Sequence, residues 1–333
     1  MGRRACSILR VEKNLMMKKF AFVFPGQGSQ SVGMLDAWSE HPSVVEVLME
    51  ASDALSQDVG KLIREGSREE LALTTNTQPV MLVAGVAAYR AWLHEGGAVP
   101  SMVAGHSLGE YSALVAAGAL TLTQAAPLVR LRAAAMQEAV PVGVGAMAAI
   151  LGMAAVRVVE ICEEVTSSFG AGSAETVEAA NFNDPMQTVI SGSKAAVDKA
   201  CEALKAAGAK RALLLPVSAP FHSSLMRPAA EKLVQKLADV NLLSPQIALL
   251  NNVDVAIESD PARIKNALYR QAFGAVRWVE SVQAMHTSGV QVLLECGPGK
   301  VLSGMSKRIV AEITSGVVLD LASLQESKNI LQN

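Results

Sequence analysis

The sequence predicts an α/β fold: a large domain with a mainly parallel sheet, and a small ferredoxin-like domain inserted into it. Three observations carry that prediction. Short apolar strands alternate with helical periodicity from residue 19 to residue 138. The rhythm then changes to β-α-β-β-α-β over residues 145–217. After Pro220 the alternation of strands and helices resumes.

The elements follow in order. Residues 19–24, KFAFVF, read as a buried strand, and the Gly-rich loop Pro25-Gly26-Gln27-Gly28-Ser29-Gln30 follows at once. Helical spacing of apolar residues fills 43–56 and 78–95. The strand Met102-Val103-Ala104 runs into Gly105-His106-Ser107-Leu108-Gly109, and a helix follows from Glu110 to Ala119. Another helix spans 124–138. In the insert, strands are expected at 146–151, 177–181, 187–191 and 211–217, with helices at 154–167 and 194–207. Strands near 247–252 and 290–295 complete the large domain. The expected boundaries are 17–144 with 218–325 for the large domain and 145–217 for the small one. Residues 1–16 join no pattern and are expected to form a disordered extension upstream of a start at Met16 or Met17, a transit peptide being the alternative.

Composition narrows the function. Of 333 residues, 50% are apolar and 4% aromatic, so the core is built mainly from aliphatic side chains. The longest apolar run, Val80–Tyr89, ends at Arg90. A membrane helix needs roughly 18 apolar residues or more, so no membrane span is expected. A net charge of −2 leaves no footprint for nucleic acid. The four cysteines are scattered and form no CxxC pair, which argues against a metal cluster or disulfide framework and points to a reducing cytoplasm. No metal is expected.

The five residues Gly105–Gly109 match G-x-S-x-G between a strand and a helix, the setting of a nucleophile elbow in a hydrolase-like sheet. Ser107 is therefore the expected nucleophile. A serine hydroxyl needs a base. Of the five histidines, His106 adjoins the nucleophile on a diverging bond, and His41, His94 and His286 lie at helix starts or ends. His222 is delivered by a loop from a strand end and is the expected base. No acid suits the third place in a triad, since Asp184 and Asp198 fall in the insert. A backbone carbonyl can serve instead by accepting from Nδ1. The expected oxyanion donors are the backbone N–H of Leu108 and the loop residue Gln27. That loop lacks the third glycine and the lysine of nucleotide-binding loops. On a helical wheel Arg132 shares the apolar face of Leu128, Leu131 and Ala135, whereas Arg130 points away. Two readings of Arg132 stay open: an internal salt bridge with Glu110 or Glu138, and a bidentate clamp on a substrate carboxylate.

Together these segments resemble the malonyl-CoA:acyl carrier protein transacylase family. The resemblance runs from about Phe20 to Leu321. It rests on Phe24–Gln30, Gly105–Tyr111, Leu131-Arg132 with Met136–Pro141, Gly145-Ala146-Met147, Pro216–His222, Asn251–Asp254 and Glu295–Gly299. It implies malonyl transfer from malonyl-CoA to the phosphopantetheine thiol of acyl carrier protein, by a ping-pong route through a malonyl-serine, in fatty acid or polyketide synthesis. It further implies that Ser107 carries the acyl group, that His222 is its base and that Arg132 pairs with the malonyl carboxylate. Gln27 and Leu108 would form the oxyanion hole, the main-chain carbonyl of Gln271 would orient His222, and Met136 would line the pocket. Phe221 before the base resembles malonyl-selective members. No cofactor is implied, because the coenzyme A thioester is a substrate. The carrier is expected to be acidic, with Lys205, Lys210 and Arg211 as candidates for its docking. A serine esterase or thioesterase and a non-catalytic carrier-binding module are the competing readings.

Overall fold

The computed structural model describes residues 17–332, so the expectation for residues 1–16 lies outside the described residues. Two sheets organise the chain. The first is parallel throughout, in the order β7-β2-β1-β8-β9. Its strands are β1 (Phe20–Phe24), β2 (Met102–Gly105), β7 (Ala248–Leu250), β8 (Val292–Cys296) and β9 (Thr314–Val318). The second is antiparallel, in the order β4-β5-β3-β6. It consists of β3 (Gly145–Leu151), β4 (Val177–Asp184), β5 (Gln187–Ser193) and β6 (Arg211–Leu214).

β1 shows why its apolar run is continuous. Successive side chains of a strand point to opposite faces. Phe20, Phe22 and Phe24 enter the main core, while Ala21 and Val23 enter a second core on the other face. Both faces are covered, as expected for a central parallel strand. Phe22 packs edge-on against Trp92 at 5.3 Å, which ties β1 to the long helix Thr74–His94.

The antiparallel sheet uses the same alternation. Ala148 and Ile150 face the helices Ala155–Ser167 and Lys194–Ala206 in a core of their own. Met147 and Ala149, one residue out of step, join the main core. The small sheet is thus packed on both faces, and one of them is held by the rest of the molecule.

The strand β9 and the helix Leu321–Gln332 were not expected individually from the sequence. β9 is an edge strand whose first four residues are only half-buried, so its apolar signal is weak. The terminal helix runs past residue 325, to Gln332. No helix among the described residues is long and apolar enough to cross a membrane.

Candidate active site

β2 ends at Gly105, and the helix Gly109–Ala116 begins four residues later. Between them Ser107 adopts φ +53°, in the left-handed region. For a residue with a Cβ that conformation costs about 1–2 kcal/mol and persists only where the surroundings enforce it. Asn252 enforces it here. Its Oδ1 accepts from the Ser107 N–H at 2.7 Å and its Nδ2 donates to the Gly105 carbonyl at 2.6 Å. One side chain therefore clamps both arms of the turn.

The glycine after the elbow is required by space. A Cβ on Gly109 would lie 2.0 Å from the Phe24 carbonyl oxygen and 3.0 Å from that of Pro25, both main-chain atoms that cannot step aside. Gly109→Ala is expected to cost more than about 3 kcal/mol of unfolding free energy through this overpacking. Gly304 is the control: it is exposed within the helix Val301–Ile309, and an added Cβ meets nothing within 4 Å. Gly304→Ala is expected to stabilise by about 0.5–1 kcal/mol. Urea midpoints for the two variants test the contrast.

His222 also adopts a left-handed φ, +59°, and is buried. Its Nε2 lies 2.6 Å from Ser107 Oγ. Its Nδ1 faces the main-chain carbonyls of Gln271 at 2.9 Å and Gly274 at 3.1 Å. A carbonyl only accepts, so Nδ1 carries the proton and Nε2 presents its lone pair to the serine hydroxyl. Both carbonyls belong to the C-terminal end of the helix Pro261–Phe273 and its cap, where backbone oxygens lack intrahelical partners. That helix end stands where a conventional triad would place its acid. Burial, and then the nearby charge of Arg132, push the His222 pKa down to about 3. At neutral pH the imidazole is uncharged and able to accept a proton.

Arg132 is buried beside them on the helix Leu122–Glu138. Its Nη1 donates to Gln78 Oε1 at 2.7 Å, and its Nη2 to Gln271 Oε1 at 3.0 Å and Ser107 Oγ at 3.3 Å. The Tyr111 ring packs against the guanidinium at 5.5 Å. Neither salt-bridge reading from the sequence holds. Glu138 pairs with Lys232 at 2.6 Å. Glu110 accepts from Gln271 Nε2 at 2.9 Å and from the Asn252 N–H at 3.0 Å. Burial pushes its pKa up to about 7. Among the described residues no carboxylate forms a salt bridge with Arg132, so a buried cation beside Ser107 is held by neutral amides. An anion entering there meets a guanidinium already desolvated and oriented.

The remaining expected residues lie close by. Leu108 is the N-cap of the helix Gly109–Ala116, so its N–H belongs to the end where amide donors lack intrahelical acceptors. The glycine loop rests on the elbow: a Cβ on Gly26 would come within 2.7 Å of the His106 carbonyl oxygen. Gln27 is the next residue and is half-buried. Met136 is buried one turn after Arg132, with Gln78 Nε2 3.8 Å from its Sδ. His106 turns away from the reaction, with Nε2 2.9 Å from Asn183 Oδ1. Asp184 and Asp198 are paired with Arg308 and Lys194.

Sequence reasoning missed Gln78 and gave Asn252 no role. Both are buried polar residues next to apolar runs, and a search for that pattern would have found them. Lys205, Lys210 and Arg211 are exposed but remote from the site. Arg211 pairs with Leu151 at one end of β3, whereas Gly145 at the other end packs on Pro220, two residues before the base. The six steps between those ends span roughly 20 Å. A docking surface at the mouth of the site would need other residues.

Residues 21–324 match the family model described as an acyl transferase domain. The chain is 50% identical over 303 residues to the malonyl CoA-acyl carrier protein transacylase of Escherichia coli K12, covering 91% of this chain and 96% of that one. The crystal structure of an acyl-carrier-protein S-malonyltransferase from Burkholderia pseudomallei is 60% identical, with a TM-score of 0.90 over 93% of this chain and 99% of that one. A type II PKS acyl-carrier protein in complex with its malonyl-transacylase also matches, at 48% identity and a TM-score of 0.90 over 93% of this chain and 99% of the matched one. The elbow at Ser107, His222 and the buried Arg132 thus belong to a chain that is a member of the malonyl CoA-acyl carrier protein transacylase family of acyltransferases.

Proposed function

We propose that this enzyme moves a malonyl group from malonyl-CoA to the phosphopantetheine thiol of an acyl carrier protein, through a malonyl ester on Ser107. One observation carries the reading: the Arg132 guanidinium is buried 3.3 Å from Ser107 Oγ, and no carboxylate among the described residues forms a salt bridge with it. A neutral acyl group has no use for that cation, and a malonyl group ends in the anion it lacks.

The steps follow from the proton inventory. Ser107 Oγ attacks the thioester carbonyl while its proton passes to His222 Nε2. The carbonyl oxygen becomes an oxyanion, for which the Leu108 and Gln27 backbone amides are the proposed donors. The C–S bond breaks, and the coenzyme A thiolate leaves with the proton from His222. In the second half the carrier thiol gives its proton to His222, and its sulfur attacks the malonyl ester. The bond between the acyl carbon and Ser107 Oγ breaks, and Oγ recovers its proton from His222. Met136, buried beside Gln78, is proposed to line the acyl pocket. Residues 145–217 are proposed as a domain set into the large one. The reaction is proposed to take place in the reducing cytoplasm.

Intact mass after brief mixing with malonyl-CoA tests the proposal. One malonyl adduct is expected on the native chain and none on Ser107→Ala. No adduct with malonate accumulating would mean a thioesterase. No adduct and no turnover would leave a carrier-binding module.

A further inference from the structure

We propose that His41, His94 and Glu95 form a binding site for a divalent transition metal ion, with Zn2+ the best chemical match. The three residues come from two separate segments. His41 is the N-cap of the helix Pro42–Leu55, His94 ends the helix Thr74–His94 and Glu95 is the C-cap of that second helix. One ligand atom from each lies within 4.8 Å of the other two.

Two independent distances agree with a single tetrahedral ion. His41 Nε2 is 3.3 Å from Glu95 Oε1. Zinc–nitrogen and zinc–oxygen bonds of about 2.0–2.1 Å make the edge of a tetrahedron about 3.3–3.4 Å. The rings of His41 and His94 have centroids 5.1 Å apart and planes 75° apart. Two imidazoles bound through a ring nitrogen to one tetrahedral ion place their centroids about 5.2 Å apart by the same bond lengths. A simple hydrogen bond between His41 and Glu95 explains the first distance but not the placement of His94.

The surroundings support a ligand role. His41 Nδ1 lies 3.0 Å from Ser43 Oγ, so its second nitrogen is engaged and Nε2 is turned to Glu95. Outer contacts of this kind orient metal-binding histidines. Trp38 stands edge-on against the His41 ring at 5.5 Å and restricts it. Lys328 Nζ is held by the Glu95 main-chain oxygen, leaving the carboxylate to the cluster. His41 is buried, while His94 and Glu95 are exposed, so a fourth position is open to water. Two imidazoles and one carboxylate suit Zn2+ better than Ca2+ or Mg2+.

The site is remote from the chemistry. Gln78, a partner of Arg132, lies on the same helix as His94, and the residues between them span about 24 Å. The ion would act as a clip joining the entry of one helix to the end of another.

Equilibrium dialysis of the chelator-treated, untagged full chain against micromolar ZnCl2 tests this. One equivalent of zinc is expected, with a rise in Tm. Co2+ in its place should give the visible absorption bands of a four-coordinate site. His94→Ala and Glu95→Gln, both at exposed positions, should each weaken binding at least ~10-fold while leaving malonyl transfer unchanged, and Ser43→Ala should weaken it by about 10-fold. Uptake of no zinc by the native chain overturns the proposal. So does an equivalent held with native affinity by the double variant His94→Ala/Glu95→Gln.

Discussion

His222→Ala is expected to slow acylation of Ser107 by about 10^4- to 10^6-fold, the range found when one member of a nucleophile–base pair is removed. The geometry explains a loss of that size. Ser107 Oγ has His222 Nε2 at 2.6 Å and hydrogen-bonds to no other base among the described residues. Its further neighbour, the Arg132 guanidinium at 3.3 Å, donates hydrogen bonds and cannot take a proton. Rapid-quench measurement of the malonyl adduct isolates this step. A loss of less than tenfold would remove His222 from the role of base.

The pH profile of the native enzyme adds a second test. A base at His222 works only while neutral, and burial beside Arg132 holds the His222 pKa down to about 3. Lowering the pH from 8 to 5 therefore leaves His222 unprotonated, and acylation should not fall with a midpoint at the ordinary histidine value of 6.5. Glu110, held up to about 7 by burial, is the group near the site expected to titrate in that range. Glu110→Gln should remove any inflection near 7, and an inflection that survives would belong elsewhere. Stability follows the same linkage. Between pH 6.5 and about 3 an unfolded chain binds a proton at His222 that the folded chain refuses, so this residue lowers stability as the pH falls through that window.

How much of this was legible in the sequence depends on whether a side chain or the backbone carries the information. Ser107 was legible because an elbow needs a glycine where the helix meets Phe24, and that glycine is printed in the chain. His222 could be reached by weighing five histidines. The group that orients it could not, because the carbonyls of Gln271 and Gly274 carry no residue signature; Gln271 entered only through the family resemblance. The left-handed φ at Ser107 and His222 was equally hidden, since neither is glycine. The helical wheel placed Arg132 inside correctly. It could not tell that the polar groups meeting it are Gln78 and Gln271, with Gln271 standing between Arg132 and Glu110. The charges of Lys205, Lys210 and Arg211 were visible, but their distance from the site depends on strand register. In the parallel sheet, runs such as FAFVF announce themselves because both faces are covered. The edge strand β9 does not, because its burial is partial.

Arg132→Ala is expected to lower kcat/KM for malonyl-CoA by about 30- to 5,000-fold while leaving acetyl-CoA unchanged or improved. Breaking a buried, hydrogen-bonded charge pair costs about 2–5 kcal/mol, and each 1.36 kcal/mol is a factor of ten in rate. For acetyl the balance is reversed. The native pocket asks a neutral acyl group to bury the guanidinium unpaired, and the alanine variant removes that penalty. The arginine also acts on the base, since its charge is the second cause of the low His222 pKa. A malonyl carboxylate paired with Arg132 offsets that charge, so His222 should become a stronger base when the substrate is an anion. The apparent pKa in kcat, which reports the complex, should accordingly lie above that in kcat/KM, which reports the free enzyme. In Arg132→Ala the value in kcat/KM should rise, because the cation that lowers it in the free enzyme is gone. Rates for malonyl-CoA and acetyl-CoA across pH, in native enzyme and variant, decide between a carboxylate clamp and a structural arginine. Equal losses for both acyl groups, with the pKa in kcat/KM unchanged, would make Arg132 a support for the fold and not the origin of selectivity.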